Sequence, residues 1–236
     1  MTSTADYMEP RALQYRISKY TNDCGLDGVH AHTLRHLFHL LSAWAELDNR
    51  EASASTLKLS ADCGPVVLNT SLEIDSVLEN GTRIYRVGKN GLRLYTDGRH
   101  FVGADGESVT DDEIRFADTV NLLDAAYHAC LDGRLSAAQR GDDYIYTVQL
   151  DGDSIDEIVE LIAPDAAKLA PDFTYGTISL TVSDGKFSAM SVSCTGTMKV
   201  VLVETPVSVS ADISVRESST PQFPAKAVTA LTQANG

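Results

Sequence analysis

The chain is short of positive charge. Its 236 residues hold 19 lysines and arginines against 33 aspartates and glutamates, a formal net charge of -14. Nucleic-acid binders gain most of their affinity by neutralising phosphates, and an acidic body repels the same polyanion, so DNA is not an expected partner of the folded unit. There is no run of eighteen apolar residues, which excludes a membrane-spanning helix. The opening residues, Met1 to Glu9, lack the basic start and apolar stretch of a secretory signal, so the chain as written is expected in the cytoplasm. The four cysteines, Cys24, Cys63, Cys130 and Cys194, show no Cys-x-x-Cys spacing, which argues against zinc and thioredoxin-like chemistry. Cys63 and Cys194 stand in strand-like text: they could pair if the chain were exported, and are otherwise expected as buried free thiols. What is present is ordinary globular composition, 43% hydrophobic and 22% charged, in a length that fits one large domain or two small ones.

Pro10, at a first-turn position, opens a predicted helix with Leu13, Ile17 and Tyr20 on its apolar face; Gly25 and Gly28 end it. A second helix begins near His32 and keeps one face through Leu34, Leu37, Phe38, Leu41, Trp44, Ala45 and Asp48. Within it, His32-Thr-Leu-Arg35-His36 resembles the His-x-x-Arg box of tyrosine recombinases, the phage integrase family, and Glu9 to Leu26 is similar to the helix and glycine turn that precede that box. The resemblance covers about residues 8–38. It implies a phosphoryl-transfer clamp in which Arg35 is the second arginine and His32 the acid/base partner. The first arginine and the lysine of that clamp have no counterpart in residues 1–29, and neither Tyr85 nor Tyr95, both in strand patterns, is assigned as the nucleophile. A group that acts as a unit loses nearly all its effect when most members are missing, so His32, Arg35 and His36 are expected as an inactive remnant and the chain as a non-enzyme. Residues 1–40 carry four basic and four acidic side chains, so the acidic excess lies wholly beyond the fragment. His32, His36 and His39 share helical spacing that could hold a metal, but no acidic or cysteine ligand is fixed nearby, and neither metal nor cofactor is expected.

Beyond residue 40 the text is mostly strands. Val66, Leu68, Leu72 and Ile74 alternate with Asn69, Ser71, Glu73 and Asp75, the period of a sheet with one dry face. Asn80-Gly81, Lys89-Asn90-Gly91 and Asp97-Gly98 are turn sequences separating Arg83–Val87, Leu92–Tyr95 and His100–Val102. Thr110-x-x-Glu113 reads as a capping box opening a helix with Phe116, Val120, Leu123, Tyr127 and Leu131 on one face, closed by Gly133. Tyr144, Tyr146, Val148 and Leu150 form another strand. A second capping box, Ser154-x-x-Glu157, opens a short helix interrupted at Pro164. Strands are predicted over Thr177–Val182, Phe187–Cys194 and Met198–Glu204, and a last one has Val207, Val209, Ala211, Ile213 and Val215 on its dry face. Residues 217–236 read as a flexible tail. The acidic pairs Asp111-Asp112 and Asp156-Glu157 fall in first turns of helices, where the helix dipole favours them, and are read as caps.

The order of these elements resembles the half-open barrel of LolA/LppX-like lipoprotein carriers. So do Tyr95-Thr-Asp-Gly-Arg-His-Phe101, the Gly176 to Gly185 hairpin and Phe223-Pro-Ala-Lys-Ala-Val228. This resemblance covers about residues 42–228. The expected fold is α+β: an N-terminal helical hairpin (1–40), then a curved antiparallel sheet with helices packed on one face (41–216), then the tail. The resemblance implies an extracytoplasmic type of domain with a pocket for a lipid or other apolar small molecule. Candidate lining residues are Val66, Leu68, Leu72, Ile74, Tyr146, Val148, Ile178 and Leu180, with Tyr127 from a helix. Alternation alone would equally place each of them in a packed core. Three readings follow: a non-catalytic carrier fused to a recombinase fragment, a catalytically incomplete protein of DNA recombination, and a structural module without a ligand.

Overall fold

The computed structural model describes residues 31–109, 116, 119–132, 135–200, 203–218 and 221–234. The helix expected from Pro10 and the capping box at Thr110 lie outside them. Ten strands form one antiparallel sheet: β1 (Ala52–Cys63), β2 (Val66–Glu79), β3 (Thr82–Lys89), β4 (Leu92–Thr96), β5 (Phe101–Val102), β6 (Ser136–Arg140), β7 (Asp143–Gln149), β8 (Asp172–Ser183), β9 (Lys186–Val200) and β10 (Val203–Glu217). Their order in the sheet is β5-β4-β3-β2-β1-β10-β9-β8-β7-β6, so the sheet is not closed. The helices are α1 (Ala31–Asn49), α2 (Leu122–Asp132), α3 (Gly152–Ile162), α4 (Pro164–Ala167) and α5 (Ala225–Ala234). The fold is α+β.

Local chemistry explains most of the boundaries. Asn80 and Gly81, and likewise Asp184 and Gly185, adopt positive φ, as the tight turns of right-twisted hairpins demand. α3 is capped one turn earlier than the sequence suggests: the N-cap is Asp151, whose Oδ1 accepts from the Ser154 backbone N–H at 2.9 Å. That bond also holds the Asp151 carboxyl below its ordinary value. Pro164 ends α3 and serves as the first residue of α4, where its missing N–H has no partner to lose. The stretch Met198–Glu204, expected as one strand, is divided between β9 and β10, whose ends pair Val200 with Val203. No glycine, proline, asparagine or aspartate interrupts residues 198–204 in the sequence.

α1 ties distant strands together and shows that the sheet curls. His39 of α1 meets Tyr146 of β7, while Asp48, nine residues further, is held by Arg83 of β3. Nine helical residues span about 14 Å. β7 and β3 are six strand positions apart, about 29 Å along a flat sheet. The strands curl around α1 as a half-open barrel, which lets β3 and β7 both reach the one helix. The face α1 buries is centred on Leu40 and Ala43, both fully buried, with Leu47 packed beside them. Phe38, expected on that face, is instead 66% exposed. Imidazole-to-phenol contacts at His36 and His39 fix the rotation of the helix, as described below.

The core fills the concave side. Leu57, Leu59, Ala61 and Cys63 of β1, Leu72 and Ile74 of β2, and Val207 to Ile213 of β10 alternate inward and are buried. α3 closes on it with Ile155, Ile158, Val159 and Ile162. Gly176 of β8 permits this approach, because a Cβ there would stand 2.7 Å from Ile155 Cγ1. α5 occurs in the segment expected as a tail. It packs on the opposite face of the sheet, where Val77, Ile84, Tyr95 and Val102 gather with Ala227 and Leu231. Their register shows the change of side: Val87 pairs with Leu94 inward, so Ile84 and Tyr95 point outward.

Candidate functional site

A cavity of about 580 Å³ lies between the helices and the concave face. Its helical wall is Trp44, Leu47 and Asp48 of α1 with Val120, Asn121, Leu123 and Asp124 at the start of α2. Its floor is Ser53 and Ser55 of β1, Ile74 and Ser76 of β2, Arg83 and Tyr85 of β3, and Val215 of β10. These floor residues all fall on the inward parity of their strands, with Ser55 opposite Ile74 and Ser53 opposite Ser76. One end is polar and hydrogen-bonded. Ser53 and Ser76 share a buried Oγ–Oγ bond of 2.9 Å.

Arg83 organises that end. α1 has no basic residue in its last turn, and Arg83 supplies one from the neighbouring strand. Its Nη2 donates to the Asp48 carbonyl at 2.6 Å, and its Nη1 donates to the Arg50 carbonyl at 2.7 Å. The unpaired carbonyls of a helix C-terminus carry partial negative charge, so the guanidinium is both donor and counter-charge there. Burial lowers its proton affinity from the ordinary value, against the opposing pull of Tyr85 and Asp48. Burial also raises the Tyr85 phenol, against the pull of the Arg83 charge.

Trp44, the only tryptophan, forms the aromatic wall. Its ring stacks on Tyr127 of α2 at 4.0 Å and 6°, and meets Phe187 of β9 edge-on at 6.0 Å. Tyr127, expected to line a pocket, holds Trp44 in place from behind. A second cavity, about 360 Å³, opens near the other end of β1 and β2. Leu59, Val66, Leu68 and Thr70 face Phe116, Thr119, Leu161 and Ile162 across it.

The sequence-derived lining set divides three ways. Ile74 lines the larger cavity, and Val66 and Leu68 line the smaller. Leu72, Tyr146, Val148, Ile178 and Leu180 are at most 1% exposed and belong to the packed core. Period-two alternation marks which side of a strand is dry, and every dry position gives the same signal whether it meets protein or a void. Reasoning from sequence missed Ser53, Ser55 and Ser76, which continue the inward alternation of their strands with hydroxyls. It also missed Arg83, which no local pattern places under a helix end.

The histidine-rich segment is part of the scaffold. Arg35 is exposed, and the His32 side chain lies outside the described residues. The His36 ring lies 6.0 Å from that of Tyr144, and the His39 ring 4.6 Å from it. His39 Nδ1 is 2.6 Å from the Tyr146 hydroxyl. Burial, then the neighbouring Tyr144, pushes the Tyr146 phenol up to about 12, so it remains protonated and able to donate. Among the described residues no group of three or more His, Cys, Asp or Glu is placed to hold a metal. Likewise, among them no helix is long and apolar enough to cross a membrane.

Cys63 and Cys194 are both free and buried. β10 runs between their strands, which sets them about two strand spacings, ~9.6 Å, apart, beyond the reach of a disulfide without backbone movement. Burial raises both thiols, Cys194 to about 11.

No family model matches the chain, and no curated protein matches it. Among solved structures it is similar to the Mycobacterium tuberculosis lipoprotein LppX, at 10% identity and a TM-score of 0.45, over 80% of this chain and 97% of that one. It is also similar to LprF from Mycobacterium bovis, at 12% identity and a TM-score of 0.37, over 79% and 94%. A third similarity is to a putative outer membrane lipoprotein-sorting protein domain from Vibrio parahaemolyticus, at 9% identity and a TM-score of 0.27, over 81% and 97%. These similarities give the recombinase resemblance no support. At such identities and TM-scores, ligand and activity are left to this chain's own residues.

Proposed function

We propose that the protein is a non-catalytic binding domain that holds a hydrophobic small molecule between its helices and its curled sheet. The observation that carries this reading is the cavity of about 580 Å³ walled by Trp44, Leu47, Ile74, Tyr85, Leu123 and Val215. Small-molecule sites fall in roughly the 300–1,000 Å³ range and combine an apolar lining with a few placed polar groups. The site offers an apolar wall of Trp44, Leu47, Ile74, Tyr85, Val120, Leu123 and Val215 and a larger set of polar and charged groups, Asp48, Ser53, Ser55, Ser76, Thr82, Arg83, Asp97, Arg99, Asn121 and Asp124, so the ligand it suits has both an apolar and a polar part.

Trp44 supplies the test. Titration with palmitoyl lysophosphatidylcholine below its micellar concentration is expected to change Trp44 emission saturably at one ligand per chain. Native mass spectrometry is expected to show the same complex, lost on denaturation. Ile74→Trp, which fills the cavity, is expected to weaken binding at least tenfold while thermal unfolding stays cooperative. Absence of both saturation and a bound mass in the unmodified protein sinks the reading.

A further inference from the structure

α1 carries two apolar rows. Leu40, Ala43 and Leu47 form the one seated on the core. Phe38, Leu41 and Ala45 form the other, on the opposite side of the helix, at steps of three and four residues that keep them in line. Phe38 is 66% exposed, Leu41 is half-buried and Ala45 is exposed. A single exposed phenylalanine is ordinary on a protein surface. A row of apolar residues along a helix whose other side is already buried is the pattern of a helix with a second partner.

The chain itself contains a matching row. In the sequence before α1, Leu13, Ile17, Tyr20 and Cys24 follow one another at four, three and four residues, and the α1 row, counted from Leu34 through Phe38 and Leu41 to Ala45, has the same steps. Each row covers eleven residue steps, about 16 Å of helix. That order of steps reads the same in both directions, so two antiparallel helices bring every member of one row opposite a member of the other. Gly25 to His30, six residues with glycine at both Gly25 and Gly28, lie between the two, a length common for the connection of neighbouring antiparallel helices.

We infer that residues 10–24 form a helix that lies antiparallel on the outer side of α1 and covers Phe38, Leu41 and Ala45. In that pairing Leu13 meets Ala45, Ile17 meets Leu41 and Tyr20 meets Phe38. The small Ala45 leaves room for Leu13, and Tyr20 with Phe38 makes an aromatic pair. A segment tethered by a short linker is present at an effective concentration on the order of millimolar, so it takes the row ahead of a second copy of the chain at micromolar concentration. α1 carries Trp44 and Leu47 into the wall of the larger cavity, and the added helix backs that wall. The inference does not depend on the binding function proposed above.

Disulfide capture in the whole chain tests it. Leu13→Cys with Ala45→Cys places two thiols at the end of the pair furthest from the connection, and Tyr15→Cys with Ala45→Cys is the control, because Tyr15 falls on the opposite side of the same helix. Under mild oxidation, positions 13 and 45 are expected to join within one chain about tenfold faster than positions 15 and 45, since a disulfide forms only where the two Cβ atoms approach closely. Tryptic mass mapping identifies the joined positions, and cooperative thermal unfolding checks that each variant is folded. Ile17→Ala and Leu41→Ala are expected to lower the unfolding midpoint together by less than the sum of their separate effects, as residues in contact do. Equal rates for the two cysteine pairs, or strictly additive losses for the two alanine variants, overturn the helix pair. Cross-links that join two chains overturn it in favour of a second copy on the same row.

Discussion

Tyr146 shows how one side chain can serve a role its sequence context does not reveal. Alternation predicts it to point inward, which is correct, and the carrier resemblance makes it a pocket wall, whereas it is a fully buried anchor for α1. Its phenol is raised from 10.0 to about 12, so the folded state binds the proton more tightly than the unfolded state does. The unfolded chain therefore ionises first as pH rises. The associated stability is complete below pH 10 and drains away between 10 and about 12. Tyr146→Phe removes the hydrogen bond to His39 and is expected to lower stability at neutral pH by about 1 kcal/mol. It should also make the alkaline decline shallower. Urea midpoints from neutral pH to above 10 check both, and an unchanged alkaline slope would assign the titration to other tyrosines.

At the scale of elements, α1 depends on partners remote in sequence. Its extent is legible, because the apolar period continues without a break from His32 to Asp48. Its rotation is not, because Leu40 and Ala43 compete with Phe38 and Leu41 for the buried stripe, and partners remote in sequence, Tyr144 and Tyr146 on β7, Tyr127 on α2 and Phe187 on β9, decide between them. Its C-terminus is equally non-local, being held by Arg83. Arg83→Met keeps much of the aliphatic stem but leaves the Asp48 and Arg50 carbonyls without their charged donor. The expected loss is about 1.5–3 kcal/mol, the usual effect of removing hydrogen bonds to a charged group. Hydrogen exchange should rise first in the last turn of α1. Protection lost uniformly over the whole sheet would contradict this local role. Strand β1 is hard to name from sequence for a related reason: its inward face includes Ser53 and Ser55, whose hydroxyls hide the period that Leu57 to Cys63 displays.

For the molecule as a whole, the sheet is covered on both faces by different means. The concave face receives α1 to α4 and retains the two cavities. The outer face over β3 to β5 is sealed by α5, with Phe223 against Tyr95 and beneath the Arg86 guanidinium, which is itself paired with Asp75 at 2.6 Å. Deleting residues 219–236 uncovers Val77, Ile84, Tyr95 and Val102. The expected cost is about 2–4 kcal/mol, on the scale of losing one or two buried apolar side chains. The apolar patch left behind should promote self-association. Thermal unfolding and light scattering check this; an undiminished midpoint in a monodisperse sample would show that α5 is dispensable.

Local rules in the sequence determined the turns at Asn80-Gly81 and Asp184-Gly185, the strand periods of β2 and β10, and the acidic surface, because these follow from backbone sterics and the count of charges. The same rules misread 217–236 as a tail, since a short alanine-rich helix has little stability alone and forms where a sheet offers it an apolar face. Only the tertiary structure decided which dry positions pack together and which line a cavity. That choice depends on how far the curled sheet stands from the helices at each level. The distance is set by pairs such as Gly176 with Ile155 and Arg83 with Asp48, whose members lie twenty-one and thirty-five residues apart in the chain.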